Sequence, residues 1–209
     1  MQIHRHWRLF LALVVLAAWA LPSHAQQPPT TDTPAAAPAP AKKPPKHKPA
    51  SGDAAAAVAG GVKPTLLGQY GDWGAYTASP GGKKICFAIA RPASSETNPP
   101  NRPRNPAYMF ISSRPSDKVS NEVSVIIGYP FKPSTDATVA VGSNSFALYT
   151  RQDGAWIKDA AEENHLVDAL RSAQNAVVRG VSVKGTRTTD IFSLKGLGQA
   201  LDRSDRDCK

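Results

Sequence analysis

Residues Lys83–Arg91, which read KKICFAIAR, combine the clearest strand pattern of the chain with one of its two cysteines. Large and small apolar residues alternate along this stretch, and a period of two places them on opposite faces of a β-strand. We expect the large face to fill a core and the small face to lie close to a neighbouring helix. The large residues are Ile85, Phe87 and Ile89, and the small ones are Cys86, Ala88 and Ala90.

The first 25 residues have the pattern of a signal peptide. Basic residues are followed by an apolar run from Leu9 to Leu21, and Ser23 and Ala25 stand where a signal peptidase requires small residues. An uncleaved membrane anchor is the alternative, but the run is shorter than the ~20 residues of a spanning helix. The sequence therefore predicts export to the periplasm, the outer cell surface or the medium, with no transmembrane span after cleavage.

Residues 26–64 are rich in Pro, Ala and Lys and contain no aromatic residue. Such a composition buries too little apolar surface to fold, so we predict a disordered linker that acts as a spacer. Its four clustered lysines offer weak contact with an anionic surface, although a merely solvated linker is the alternative. They are Lys42, Lys43, Lys46 and Lys48.

The predicted folded domain spans residues 65–209. The whole chain carries a formal charge of +9, but this domain has 18 basic and 14 acidic residues, which is an ordinary solvated surface. The charge is spread rather than concentrated, which together with export excludes a nucleic-acid partner.

Cys86 and Cys208 are the only cysteines. In an oxidising compartment an even number of cysteines indicates disulfides, and two cysteines allow a single connectivity. A pair of free buried thiols remains the alternative.

Short alternating runs separated by turn residues predict a mainly β domain. Two segments instead show helical spacing. Asp159 and Glu162 resemble a capping box before a helix over about 160–175. After Gly196, one helical face collects Leu197, Leu201, Ser204 and Cys208.

Residues 92–106 contain five prolines and several asparagines, which predicts a long exposed loop. Loops of this length are uncommon unless they bind something or are disordered. Asn101, Arg102 and Arg104 are therefore candidates for a partner-binding surface. A rigid loop without a binding role is the alternative.

A catalytic set is not recognisable in the sequence. Beyond the linker there is one histidine, His165, and the adjacent Glu162 and Glu163 point about 100° apart on a helix, so they cannot oppose each other as acid and base. We expect no catalytic residue, no metal site and no cofactor.

Several separated motifs resemble the invasion-associated locus B family of exported bacterial proteins. The resemblance implies an immunoglobulin-like β-sandwich, export to the cell envelope, a disulfide between Cys86 and Cys208, and no enzymatic activity. The motifs are Cys86-Phe87, PPNRPRNPAY (99–108), NEVSVIIGYPF (121–131), GAWIKDAAEE (154–163) and FSLKGLGQALD (192–202) followed by a final cysteine.

These observations favour a non-enzymatic, exported envelope protein that binds another protein or an envelope polymer. The first alternative is an envelope hydrolase, or a hydrolase inhibitor, with a site that the sequence does not reveal. The second is a purely structural protein of the envelope stress response.

Overall fold

The computed structural model describes residues 52–209. The signal peptide, most of the linker and its four lysines lie outside the described residues. The helices are α1 (Gly52–Val58), α2 (Glu163–Ser172) and α3 (Leu197–Asp207). The strands are β1 (Thr65–Tyr70), β2 (Trp73–Ala78), β3 (Ile85–Ala90), β4 (Ser94–Asn98), β5 (Tyr108–Arg114), β6 (Val119–Ile126), β7 (Ala137–Val141), β8 (Asn144–Arg151), β9 (Gly154–Ile157), β10 (Asn175–Val181) and β11 (Arg187–Ser193).

The strands form one antiparallel sheet in the order β1-β2-β3-β5-β6-β9-β8-β7-β10-β11-β4. Inward side chains from both halves of the sheet share one core, as Met109 of β5 and Val178 of β10 do. The sheet therefore folds over on itself as two layers around that core. The predicted fold class, a mainly β, immunoglobulin-like sandwich with a mid-chain helix and a short C-terminal helix, is confirmed.

The Lys83–Arg91 stretch contains β3, and α3 lies against the small-residue face of this strand. Cys86 and Cys208 form a disulfide with their Cα atoms 5.9 Å apart. Leu197 and Leu201 of α3 belong to the same core as Ala88 of β3. The expected contact between the small face and the C-terminal helix is present because alanine lets a helix approach the sheet closely.

The expectation that the large residues of β3 fill the sandwich core is wrong. Phe87 and Ile89 point to the outer face of the sheet, where they form a second cluster with Ala55 and Ala59. Both alanines are fully buried. The end of the predicted disordered linker is therefore the packed helix α1, because the outer face of β3 is too apolar to be left in water.

A strand interrupts the predicted loop over residues 92–106. Residues Ser94–Asn98 form β4, which pairs with β11 at the edge of the sheet. Pro92 and Pro99 flank this segment instead of interrupting it. Proline has no amide hydrogen to donate, and an edge strand tolerates it because only one of the strand's edges forms hydrogen bonds with the sheet. The exposed loop is consequently limited to residues 99–106.

The predicted helix over 160–175 is shorter than expected. A single 3-10 turn covers 160–162, with Asp159 Oδ1 accepting a hydrogen bond of 3.0 Å from the Ala161 amide, and α2 follows. It ends at Ser172 because β10 begins at Asn175.

Within residues 52–209, no helix has both the length and the hydropathy needed to cross a membrane.

Candidate functional site

The 99–106 loop crosses one end of the sandwich and is held at both of its ends. Near the start, the Arg102 amide donates a hydrogen bond of 3.1 Å to Thr97 Oγ1. Near the end, the Asn105 amide donates to the Gly128 carbonyl at 3.1 Å. Gly128 has a φ of 82°, and a Cβ there would lie 2.1 Å from the Asn105 carbonyl oxygen. Only glycine therefore lets the loop lie this close to the strand layer.

Arg104 turns inward and pairs with Asp190. The Arg104 side chain is 11% exposed and that of Asp190 is fully buried. Nη1 donates to Asp190 Oδ2 and to the Ile127 carbonyl, both at 2.8 Å, and Nη2 donates to Asp190 Oδ1. Ser95 Oγ also donates to that carboxylate, at 2.6 Å. Arg104 is therefore only slightly exposed and its charge is neutralised beneath the loop, although it still lines the cleft described below. Its part in a partner-binding surface stays a prediction.

Tyr129 continues this polar network toward the surface. Its hydroxyl shares a hydrogen bond of 2.7 Å with Thr188 Oγ1, and the Arg104 guanidinium lies 6.0 Å from the centre of its ring. Burial raises the pKa of Tyr129 above its ordinary value of 10.0. The tyrosine is therefore neutral at physiological pH and offers a flat, partly apolar wall.

Above this network an open cleft separates the 99–104 loop from the turn at residues 182–186. Its volume is about 540 Å³. Apolar contacts come from Pro103, Tyr129, Pro130 and Val183, the last of which is 52% exposed. Arg102 and Lys184 stand at the rim, and none of the lining residues within 52–209 is acidic. The cleft therefore combines apolar wall residues with two exposed cations.

Two of the three predicted loop residues are at the surface. Asn101 and Arg102 are exposed, and Asn101 adopts a left-handed backbone with a φ of 59°. Among the described residues, the Arg102 side chain has no ion-pair partner. The second wall of the cleft, with Val183 and Lys184, belongs to the turn between β10 and β11, and nothing in the sequence places this turn beside the loop.

The outer face of the same sheet edge carries further charges. Arg179 of β10 and Arg187 of β11 line a second depression together with Glu96 of β4. Glu96 and Thr97 are consecutive in a strand, so their side chains point to opposite faces. The Glu96 carboxylate consequently faces away from the cleft.

Groups that could do chemistry lie elsewhere in the domain. His165 is exposed on α2, with its ring 5.3 Å from that of Phe146 in an edge contact. Glu163 Oε1 accepts a hydrogen bond of 2.7 Å from the Val123 amide, and burial raises the pKa of this carboxyl. Across residues 52–209, no cluster of three or more His, Cys, Asp or Glu side chains is arranged to hold a metal ion.

The geometry defines a disulfide-linked, mainly β sandwich domain with an open, cation-rimmed cleft at one end. A sequence model of the family described as invasion associated locus B (IalB) protein matches residues 73–205. The chain belongs to the invasion associated locus B family. Its helix α1 and strand β1 precede the matched range.

Among solved structures, the chain is similar to the crystal structure of invasion associated protein B from Bartonella henselae. The two sequences are 18% identical, and the alignment covers 66% of this chain and 94% of that chain with a TM-score of 0.48. No curated protein matches the sequence.

Proposed function

We propose that this protein is an exported, non-enzymatic binding protein of the cell envelope, and that a partner binds in the cleft. The observation that carries the proposal is that the two arginines of the 99–104 loop have different surroundings. Arg104 is committed to Asp190 beneath the loop, whereas Arg102 and Lys184 project at the rim above apolar walls. A rigid scaffold that presents exposed loop cations is typical of a recognition surface.

The proposed location rests on the disulfide and on the sequence pattern of the N-terminus. The bond between Cys86 and Cys208 requires an oxidising environment to persist, such as the periplasm or the cell exterior. A signal peptide over residues 1–25 delivers the chain there, and residues 26–51 space the domain from its surroundings. Membership of an invasion-associated family agrees with a role at the envelope.

A site-specific crosslinking experiment tests the binding role. A photoreactive amino acid at position 102 is expected to form adducts with an envelope component in producing cells, and Lys184→Ala should reduce their yield. The control position is Lys63, which is exposed just before β1 at the opposite edge of the sheet. Equal adduct yields at positions 63 and 102, or none at 102, would refute the cleft as the binding site.

An envelope hydrolase, or a hydrolase inhibitor, is the alternative function. A hydrolase needs a nucleophile or base that can reach a substrate. The cleft offers Tyr129, whose pKa is raised, whereas the Asp190 carboxylate is buried beneath the cleft and already bonded to Arg104. Turnover of peptidoglycan fragments or envelope peptides by purified protein, lost in Tyr129→Phe, would favour the hydrolase. A deletion strain that leaks periplasmic contents while no crosslinked partner exists would favour a structural role.

A further inference from the structure

The rim charges determine what kind of ligand the cleft accepts. Arg102 and Lys184 are exposed, and in the described part of the chain no Asp or Glu lines the cleft to offset them. The buried Arg104 is already neutralised by Asp190. Two such cations beside apolar wall residues attract an anion and repel a cation, because electrostatic complementarity sets specificity at such rims.

The strand next to the cleft offers a second means of recognition. β4 ends the sheet order, so its outer edge has no partner strand among residues 52–209. Most of its residues are exposed. An extended peptide can add to such an edge through main-chain hydrogen bonds. Thr97 of β4 lines the cleft, so an added strand would pass its mouth.

The apolar side chains of the cleft provide a third means of recognition. Val183 is 52% exposed beside Pro103, Pro130 and Tyr129. A large exposed aliphatic group flanked by proline and tyrosine accepts an apolar side chain. A peptide supplies apolar side chains, carboxylates and a main chain together, whereas an acidic polysaccharide lacks the aliphatic side chain and the strand-forming main chain.

We infer that β4 and the cleft bind an extended acidic peptide, with a Glu or Asp carboxylate between Arg102 and Lys184 and, two residues along the same face of the peptide, an apolar side chain against Val183. This inference rests on the proposed binding function of the cleft. It adds the chemical class of the partner and its strand-like conformation.

Fluorescence anisotropy with two short labelled peptides tests the inference. One repeats Leu-Thr-Glu-Thr, which puts Leu and Glu on the same face of a strand, and the other repeats Leu-Thr-Gln-Thr, which keeps the shape and removes the charge. The Glu peptide is expected to bind the full-length mature protein at least about tenfold more tightly, and added salt should erase the difference. Arg102→Ala combined with Lys184→Ala should abolish the preference, whereas Lys63→Ala should preserve it.

A third peptide tests the strand-like conformation. N-methylation at alternate residues removes the amide donors on one edge of the Glu peptide without changing its charge. Loss of binding in one of the two methylation registers, with slowed hydrogen exchange of the β4 amides by the unmodified peptide, supports addition to β4. Unchanged binding by both methylated peptides would overturn it.

The outcomes separate the inference from the proposed function. Equal affinity of the Glu and Gln peptides would overturn the acidic class. Binding of phosphatidylglycerol vesicles or polygalacturonate, but of neither peptide, would overturn a peptide partner while the crosslinks at position 102 stood. The two rim residues are exposed, so an intact disulfide and an unchanged unfolding curve verify that their variants are folded.

Discussion

The Asp190 carboxylate lies beneath the cleft and accepts hydrogen bonds from Arg104 and Ser95. Replacing Asp190 by Ala would leave the Arg104 guanidinium buried without its counter-charge. We expect the free energy of unfolding to fall by about 3–5 kcal/mol, the usual effect of removing one partner from a buried pair. Urea unfolding followed by tryptophan fluorescence measures the change.

The matched control for this pair removes both charges. Arg104→Met with Asp190→Leu leaves no buried charge, so the double variant should recover most of the stability lost by Asp190→Ala. An Asp190→Ala protein as stable as the wild type would contradict the role assigned to this ion pair.

Glu163 gives the domain a stability term that depends on pH. Burial raises the pKa of the Glu163 carboxyl by more than the hydrogen bond from the Val123 amide lowers it, so the net shift of the pKa is upward. A carboxyl with a raised pKa in the folded state stabilises the fold below its unfolded pKa, near 4.5, and loses that contribution as pH rises through the folded value. We expect Glu163→Gln to be more stable than wild type at neutral pH.

The difference between Glu163→Gln and the wild type should shrink as the pH falls below the ordinary glutamate range. Denaturant midpoints measured from acid to neutral pH provide the comparison. Glu162→Gln, at a neighbouring exposed position, should leave the pH profile close to that of the wild type. If the stabilities of Glu163→Gln and the wild type differed by the same amount at every pH, the raised pKa of Glu163 would be ruled out as the cause.

Sequence reasoning selects Arg102 and Arg104 because both stand in a proline-rich loop, but it cannot distinguish their roles. The residue that draws Arg104 inward, Asp190, is 86 positions away. Only tertiary structure brings such residues together. Tyr129 and Lys184 are missed for the same reason, since neither carries a local signal of binding.

At the scale of elements, α1 covers the outer face of β3. Ala59, directly after α1, is fully buried there, whereas Ala57 within the helix is exposed. Ala59→Asp should lower the free energy of unfolding by about 1–3 kcal/mol, because a charge would enter an apolar cluster or α1 would detach. The domain should then bind a hydrophobic dye through Phe87 and Ile89.

Ala57→Asp, two residues earlier and inside α1, is the control, and it should change stability by less than about 0.5 kcal/mol. Both variants are compared by thermal unfolding and by dye fluorescence. Equal effects of the two substitutions would show that α1 does not cover this face in solution.

Periodicity identifies β3 and α3 correctly because both have regular apolar spacing. It does not reveal which face of β3 meets the main core, since both faces are apolar and both are buried. The proline-flanked β4 and the alanine-rich α1 escape prediction for another reason. Each owes its structure to the neighbour that covers or pairs with it, β11 for β4 and the outer sheet face for α1.

At the scale of the whole molecule, the disulfide links the C-terminus to β3 across 122 positions. In the chain-entropy model, closing a loop of this length contributes about 4–5 kcal/mol. We expect Cys86→Ala with Cys208→Ala to lower the free energy of unfolding by up to that amount and to speed hydrogen exchange in α3. Peptide mapping without reduction should recover the two cysteines as one linked pair, and two free thiols would contradict this account.

The central claim is that the 99–104 loop and the 182–186 turn form one binding surface. Hydrogen exchange of the purified protein, measured with and without an envelope fraction, tests that claim most directly. Both segments should become protected together, and Arg102→Ala with Lys184→Ala should abolish the protection of both. Protection of only one segment, or protection that survives the double substitution, would contradict the claim.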